Sequence, residues 1–212
     1  MSWIETVAAG QATGRLRDVY ARVAGPDGPI DNILRVHSLR PHTLEGHLSL
    51  YKAVLHHNGN RLPRWILEAI GVHVSRLNAC GYCVDHHAAG LRRLLGAAKA
   101  DVLLAAIAAG EGSGTGTTAT PNAPAGPVDA RLGEILRYAT RLTLRPSDLS
   151  EHDIAALRAH GLDDGEVLEI NQVVSYFAYA NRTVLGLGVT THGDVLGLAP
   201  ANQDAAADWR HA

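Results

Sequence analysis

Cys80 and Cys83, separated by Gly81 and Tyr82, are the only cysteines of the chain. A bridge between them would close too short a loop to stabilise much of a fold. In a reducing compartment such a pair serves redox chemistry or metal binding rather than structure. Read as a helix at about 100° per residue, the segment that follows sets Cys80, Cys83, His87, Leu91 and Leu94 on one apolar arc. Tyr82, Asp85, His86, Arg92 and Arg93 fall opposite, so His87 is expected to face the core beside both thiols and His86 to face solvent or a partner chain. At a helix N-terminus the thiols gain from its partial positive charge, which favours thiolate. Of the two, Cys83 is expected to be the less exposed.

Glu68 supplies a carboxylate on the preceding helix. It shares a narrow stripe with Arg64, Gly71 and Ser75, opposed to Trp65, Ile66, Ala69, Ile70 and Leu77, and a second helix can come close over Gly71. If the cysteine helix folds back onto this stripe, Glu68 reaches His87 and Cys83. It can then orient or deprotonate the imidazole, which in turn takes the thiol proton. Alone, Glu68 reads as the surface i,i+4 partner of Arg64, and His87 as a satisfied core histidine; their combination with two cysteines suggests a relay. Three other uses stay open. The pair can serve general dithiol–disulfide exchange. Cys80, Cys83 and His87 can chelate zinc with Glu68 or another histidine as fourth ligand, although no second C-x-x-C or H-x-x-x-H follows. Alternatively, the motif is a relic in a non-enzymatic helical interaction module. No cofactor is called for.

The elements that must position these residues read as helices throughout. Helical periodicity dominates and sustained β-branched alternation is absent, so the expected fold class is all-α, a helical bundle. Thr13 can cap a helix to about Val23, before the loop Gly25-Pro26-Asp27-Gly28-Pro29. Pro41 suits the first turn of a helix ending near His57. Pro63 opens the next, to about Asn78; after a break near Ala79 the cysteine helix runs from about Gly81 to Leu95 and stops at Gly96. A short helix of about Ala98 to Ala109 leads into a Gly/Thr/Ala/Pro-rich segment, 110–127, that reads as a mobile linker. Helices of about Val128 to Leu144, Glu151 to Ala159 and Asp164 to Leu187 follow, with Ser150 and Asp153 in a capping-box pattern. Residues 1–199 read as a single domain, with the Cys-x-x-Cys site in half 1–109, a second helical half in 128–199, and a tail from 200 to 212. Each half has a long apolar helix preceded by shorter ones, the pattern of a degenerate duplication.

Composition narrows the partners. A net charge of -2, from 19 basic and 21 acidic residues without long runs, gives no electrostatic reason to expect nucleic acid or an anionic membrane. A small neutral or weakly charged substrate fits better. No apolar run approaches the roughly 18 residues of a membrane span, and the N-terminus lacks a basic stretch followed by an apolar core, so the protein is expected in the cytoplasm. His37, His42, His47, His56 and His57 share no ligand spacing, and His152 and His160 lie in a polar-patterned helix. Each reads as an ordinary surface or partly buried histidine.

The stretch from Leu67-Glu68-Ala69-Ile70 to Leu77-Asn78-Ala79-Cys80-Gly81-Tyr82-Cys83-Val84-Asp85-His86-His87 resembles the alkylhydroperoxidase D and carboxymuconolactone decarboxylase superfamily, in its peroxidase-related branch. The tight match covers about twenty residues; Asp31 to His57 and Tyr176-Phe177-Ala178-Tyr179-Ala180-Asn181-Arg182 resemble the branch more loosely. The resemblance implies an all-α fold, symmetric homo-oligomers and reduction of a small hydroperoxide. Cys83 would be the peroxidatic thiol, Cys80 would resolve it as a disulfide, and Glu68 with His87 would relay protons. An external dithiol or disulfide reductant would close the cycle. The chain departs from alkylhydroperoxidase D at Tyr82, where that protein has a histidine. A phenol with a pKa of about 10 carries protons poorly at neutral pH, so Tyr82 and the neighbouring His86 are at most supporting residues.

Overall fold

The computed structural model describes residues 2–24, 28–110 and 128–199. Most of the expected linker, 111–127, and the expected tail from 200 lie outside the described residues. Within them the chain forms nine α-helices and no strand: α1 (Gly14–Ala24), α2 (Asn32–Arg35), α3 (Pro41–Tyr51), α4 (Arg64–Leu77), α5 (Gly81–Leu95), α6 (Ala97–Ala109), α7 (Ala130–Leu144), α8 (Glu151–Ala159) and α9 (Asp164–Leu187).

α4 is the centre of the bundle. Its residues are buried without interruption from Ile66 to Ser75, including the polar Glu68, His73 and Ser75, and it packs against α5, α7 and α9. One core joins Leu67 and Ile70 of α4 to Leu91 of α5, Leu103 of α6, Ile135 of α7, Leu157 of α8 and Phe177 of α9. Chain on both sides of 111–127 therefore shares it. A second cluster forms where α1 presents Leu16, Val19, Tyr20 and Val23 to Leu44 and Leu48 of α3. The helix expected from Pro41 to near His57 keeps α geometry only to Tyr51. Lys52–His56 is a wider π-type turn, a local irregularity that recurs at functional sites, and it sets Tyr51 edge-on to His56 at 4.7 Å. α8 and α9 both start in capping boxes, Ser150 with Asp153 and Asp163 with Glu166.

Two joints place the site. Between α4 and α5, Ala79 adopts φ 54, a left-handed conformation that costs an L-residue about 1–2 kcal/mol. The turn is closed by Ala79 N donating to Arg76 O and Cys80 N to Ser75 O, which leaves Cys80 as the N-cap of α5. Beyond α9, which is capped by Gly188 with φ 62, residues 189–199 run back across α5 without helix. Gly197 makes that passage possible. A side chain there would meet Ala89 Cβ at 2.9 Å and Gly90 N at 3.0 Å, and its φ of 78 suits glycine alone. Among the described residues no helix is long and apolar enough to cross a membrane.

Candidate active site

α5 folds back against α4 and brings Glu68 and His87 together. His87 Nδ1 lies 2.7 Å from Glu68 Oε2, and with the carboxylate ionised the ring nitrogen is the donor. Nε2 is then the ring nitrogen left for chemistry. Burial works to raise the Glu68 pKa, but the His87 imidazole, its hydrogen bond, and the more distant His56 and Arg93 together hold it below the usual carboxylate value. Glu68 is thus not the surface partner of Arg64 but a buried carboxylate, 5% exposed.

The close approach between helices differs from expectation. It is Gly90 of α5 that admits Glu68, since a β-carbon there would stand 3.2 Å from the carboxyl group. Gly71 faces α9 instead, where the ring of Phe177 fills the space a side chain would need. The same ring meets His87 edge-on, with centroids 4.6 Å apart. The stripe of Glu68, Gly71 and Ser75 therefore lies in the groove between α5 and α9 rather than under α5 alone.

Both thiols are buried, Cys80 at 0% and Cys83 at 2% exposed, and both are free. Cys83 was expected to be the more shielded, yet it is the one that borders the cavity, together with Glu68 and His87. The thiols are hydrogen-bonded to each other. Cys83's bond draws the Cys80 pKa down to about 7 against the effect of burial. The Cys83 pKa is pushed up by that same bond, by burial and by the Cys80 charge, and is only partly offset by Asn181 and Ser75. Asn181 of α9 is 1% exposed, donates to Ser75 Oγ at 3.1 Å and accepts from Asn78 Nδ2 at 2.9 Å.

Tyr82 and His86 are also buried, which corrects the expectation that they face outward. A second layer covers them: the 189–199 segment lies over this side of α5 and brings in Asp194. The rings of Tyr82 and His86 stack at 4.5 Å. Tyr82 Oη donates to Asp194 Oδ2 at 2.7 Å and accepts from Ile33 N at 3.1 Å, while His86 Nε2 lies 3.3 Å from Asp194 Oδ2. Burial and the Asp194 carboxylate push the Tyr82 phenol far above its ordinary pKa, so it remains protonated and acts as a strut. Asp194 also receives Asn32 N at 3.1 Å, and Asn32 Nδ2 donates to the carbonyls of Thr190 and His192. Asp194→Ala should release this roof. The expected results are a loss of about 2 kcal/mol or more in urea unfolding and faster alkylation of Cys83 in the native protein. An unchanged labelling rate would show that the roof does not shield the thiol.

The cavity is about 50 Å3. Its apolar walls include Ile33, Leu34, Leu48 and Tyr51, and Gly197 with Leu198 closes one side. Asp31 and His47 also line it, and neither was singled out as a site residue. His47 and His56 are buried, not the surface or partly buried histidines expected. Burial, reinforced by His37, lowers His47 to about 3, and burial lowers His56 to about 4, so both are neutral at pH 7. His42, His57 and His152 are exposed, and His37 and His160 half-buried. Asn181 was legible in principle, as a polar residue on the buried Phe177–Val184 face of an apolar helix. Asp31 was not, because an Asp ahead of Asn32-Ile33-Leu34 reads as a helix cap. Among the described residues no group of three or more His, Cys, Asp and Glu side chains is arranged to hold a metal ion.

No family model matches the sequence, and no curated protein matches it. Solved structures do. An uncharacterized peroxidase-related protein from Ralstonia eutropha JMP134, described as an alkylhydroperoxidase AhpD core, superposes with a TM-score of 0.71 at 22% identity, over 91% of this chain and 93% of its own. A peroxidase-related protein from Silicibacter sp. TM1040 gives 0.62 at 24% identity, over 77% and 80%. The debrominase Bmp8 gives 0.64 at 15% identity, over 95% and 92%. At these identities the likeness is one of architecture: the chain has the all-α fold of the alkylhydroperoxidase AhpD core.

Proposed function

We propose that the protein reduces small organic hydroperoxides with the electrons of its own cysteine pair, Cys83 as peroxidatic and Cys80 as resolving thiol. The observation that carries this reading is that Cys83, and not Cys80, borders the cavity that also contains the Glu68–His87 pair. With its pKa pushed up, Cys83 stays protonated at neutral pH unless a base removes the proton, and His87 backed by Glu68 is that base. The Cys83 thiolate attacks the outer oxygen of ROOH and the O–O bond breaks. The departing alkoxide takes the proton from His87 and leaves as ROH, and Cys83 becomes a sulfenic acid. Cys80, the more readily ionised of the pair, attacks the Cys83 sulfur. Hydroxide leaves as water once protonated, and a Cys80–Cys83 disulfide remains. An external dithiol reduces it, being oxidised in turn. No other cofactor takes part in this scheme. It includes assembly with further copies of the chain, for which the exposed apolar side chains of Leu39, Leu50 and Val102 offer material.

Stopped-flow mixing of the pre-reduced protein with tert-butyl hydroperoxide, followed by mass spectrometry, tests the scheme. Wild type should lose two thiols to an internal disulfide, Cys80→Ser should stop at a sulfenic acid trappable by dimedone, and Cys83→Ser should consume nothing. If the wild-type thiols oxidise no faster than free cysteine, the reading fails.

A further inference from the structure

The polar groups around the cavity are mostly committed to one another. Glu68 is paired with His87, Tyr82 donates to Asp194, and His86 stacks on Tyr82 with its Nε2 3.3 Å from the same carboxylate. Asp31 is the acidic group left over. It is 9% exposed and lines the cavity, and its Oδ1 is out of contact with solvent and accepts no hydrogen bond. A buried carboxylate in that condition is costly to the fold.

Its position makes the omission more telling. Asp31 is the N-cap of α2, where an aspartate ordinarily accepts from the backbone N–H groups of the first turn, yet its side chain makes no such bond. Other residues have taken over that task. Asn32 N donates to Asp194, and Ile33 N donates to Tyr82 Oη. The carboxyl is thereby free to serve the cavity instead of the helix. A second uncommitted group stands in the same cavity: Nδ1 of His47 has no partner, and its Nε2 is only 3.5 Å from Tyr176 Oη. The walls beside them, Ile33, Leu34 and Leu48, are apolar.

We propose that Asp31 determines which ligands this cavity accepts: it takes a hydrogen bond from the donor group of an uncharged, largely apolar molecule and turns anions of the same shape away. The inference rests on the cavity beside Cys83 being the substrate site. A carboxylate acceptor gains most from a ligand that brings an O–H or N–H, and repels a second carboxylate in a space that leaves little room for water. Burial raises the Asp31 pKa to about 6, a shift moderated by His86 and His87 and reinforced by Asp194, so the group is mainly ionised at pH 7.5. The unsatisfied carboxylate then destabilises the empty protein.

The test uses ligands of one shape, with a readout that does not need turnover. Binding of tert-butyl hydroperoxide and of pivalate to Cys83→Ser protein is followed by NMR chemical-shift changes at pH 7.5, with and without Asp31→Asn and, separately, Asp31→Leu. The hydroperoxide should bind at least about tenfold more tightly than pivalate. Asp31→Asn, which keeps an acceptor but removes the charge, should erase most of that preference, and Asp31→Leu should weaken hydroperoxide binding about tenfold. Asp31→Asn should also raise the Tm at pH 7.5, and by less at pH 5, where the wild-type group is mostly protonated. Equal binding of the two probes, no binding of either, or a preference that survives Asp31→Asn would overturn the proposal. Preference that is present while the wild type fails to consume the hydroperoxide would instead sink the peroxidase reading and leave the role of Asp31 standing.

Discussion

Glu68→Gln should slow oxidation of the dithiol by tert-butyl hydroperoxide by about 10²- to 10⁴-fold at pH 7, the usual worth of positioned proton transfer. The size of the effect follows from Cys83. Its thiol is held protonated by the bond to Cys80 and by burial, so in the proposed scheme the reacting thiolate exists only if His87 can take a proton. An imidazolium in that place needs a carboxylate 2.7 Å away, which glutamine cannot provide. The defect should therefore shrink as pH is raised and solvent hydroxide replaces the base. A variant within threefold of wild type across pH 6 to 9 would remove the relay from the mechanism. The same carboxyl leaves a signature in stability. Its pKa is depressed in the folded protein from an ordinary value of 4.5, so its stabilising contribution is present above about pH 4.5 and is lost as pH falls through the folded value. The stability difference between wild type and Glu68→Gln should close in acid.

Gly71→Ala should cost about 1–3 kcal/mol in urea unfolding, even though alanine favours a helix over glycine by about 1 kcal/mol. The added methyl would fall inside the van der Waals envelope of Phe177 Cζ and Cε2. That ring is fully buried and already in edge-to-face contact with the His87 imidazole, so a shift of the ring would disturb the imidazole. Loss of stability should accordingly come with slower thiol oxidation. If Gly71→Ala unfolds at the wild-type urea concentration and reacts at the wild-type rate, the contact between α4 and α9 is softer than the structure indicates.

Much of this architecture was legible in the sequence, for reasons that are local. The starts and ends of α5, α8 and α9 follow from Gly81 to Gly96, from Ser150 with Asp153, and from Asp163 to Gly188, because caps and glycines act within one turn. Glu68 and His87 were recoverable because each lies on a helix whose buried arc can be drawn, and the helices are joined by a tight turn. Periodicity fails where burial comes from a segment without periodicity. Nothing in 189–199 announces that it covers α5, so Tyr82 and His86 read as outward-facing until Asp194 is seen upon them. The choice of partner for Gly71 was equally hidden. A small residue invites a close neighbour, but whether that is α5 or α9 depends on a packing order that helical pattern does not encode. Asp31 and His47 belong to this class too, since each gains its significance from groups that stand far away along the chain.

That contrast in sequence distance bears on the order in which the molecule is built. The Glu68–His87 contact spans 19 residues within one helical hairpin, whereas Asn32 and Asp194 are 162 apart. Short loops close early and long ones late, so in a folding chain the thiols and their base can meet before any wall of the cavity exists. On the proposed scheme the dithiol is, for that interval, exposed to every oxidant in its surroundings, and the last long-range contacts decide when its chemistry becomes selective.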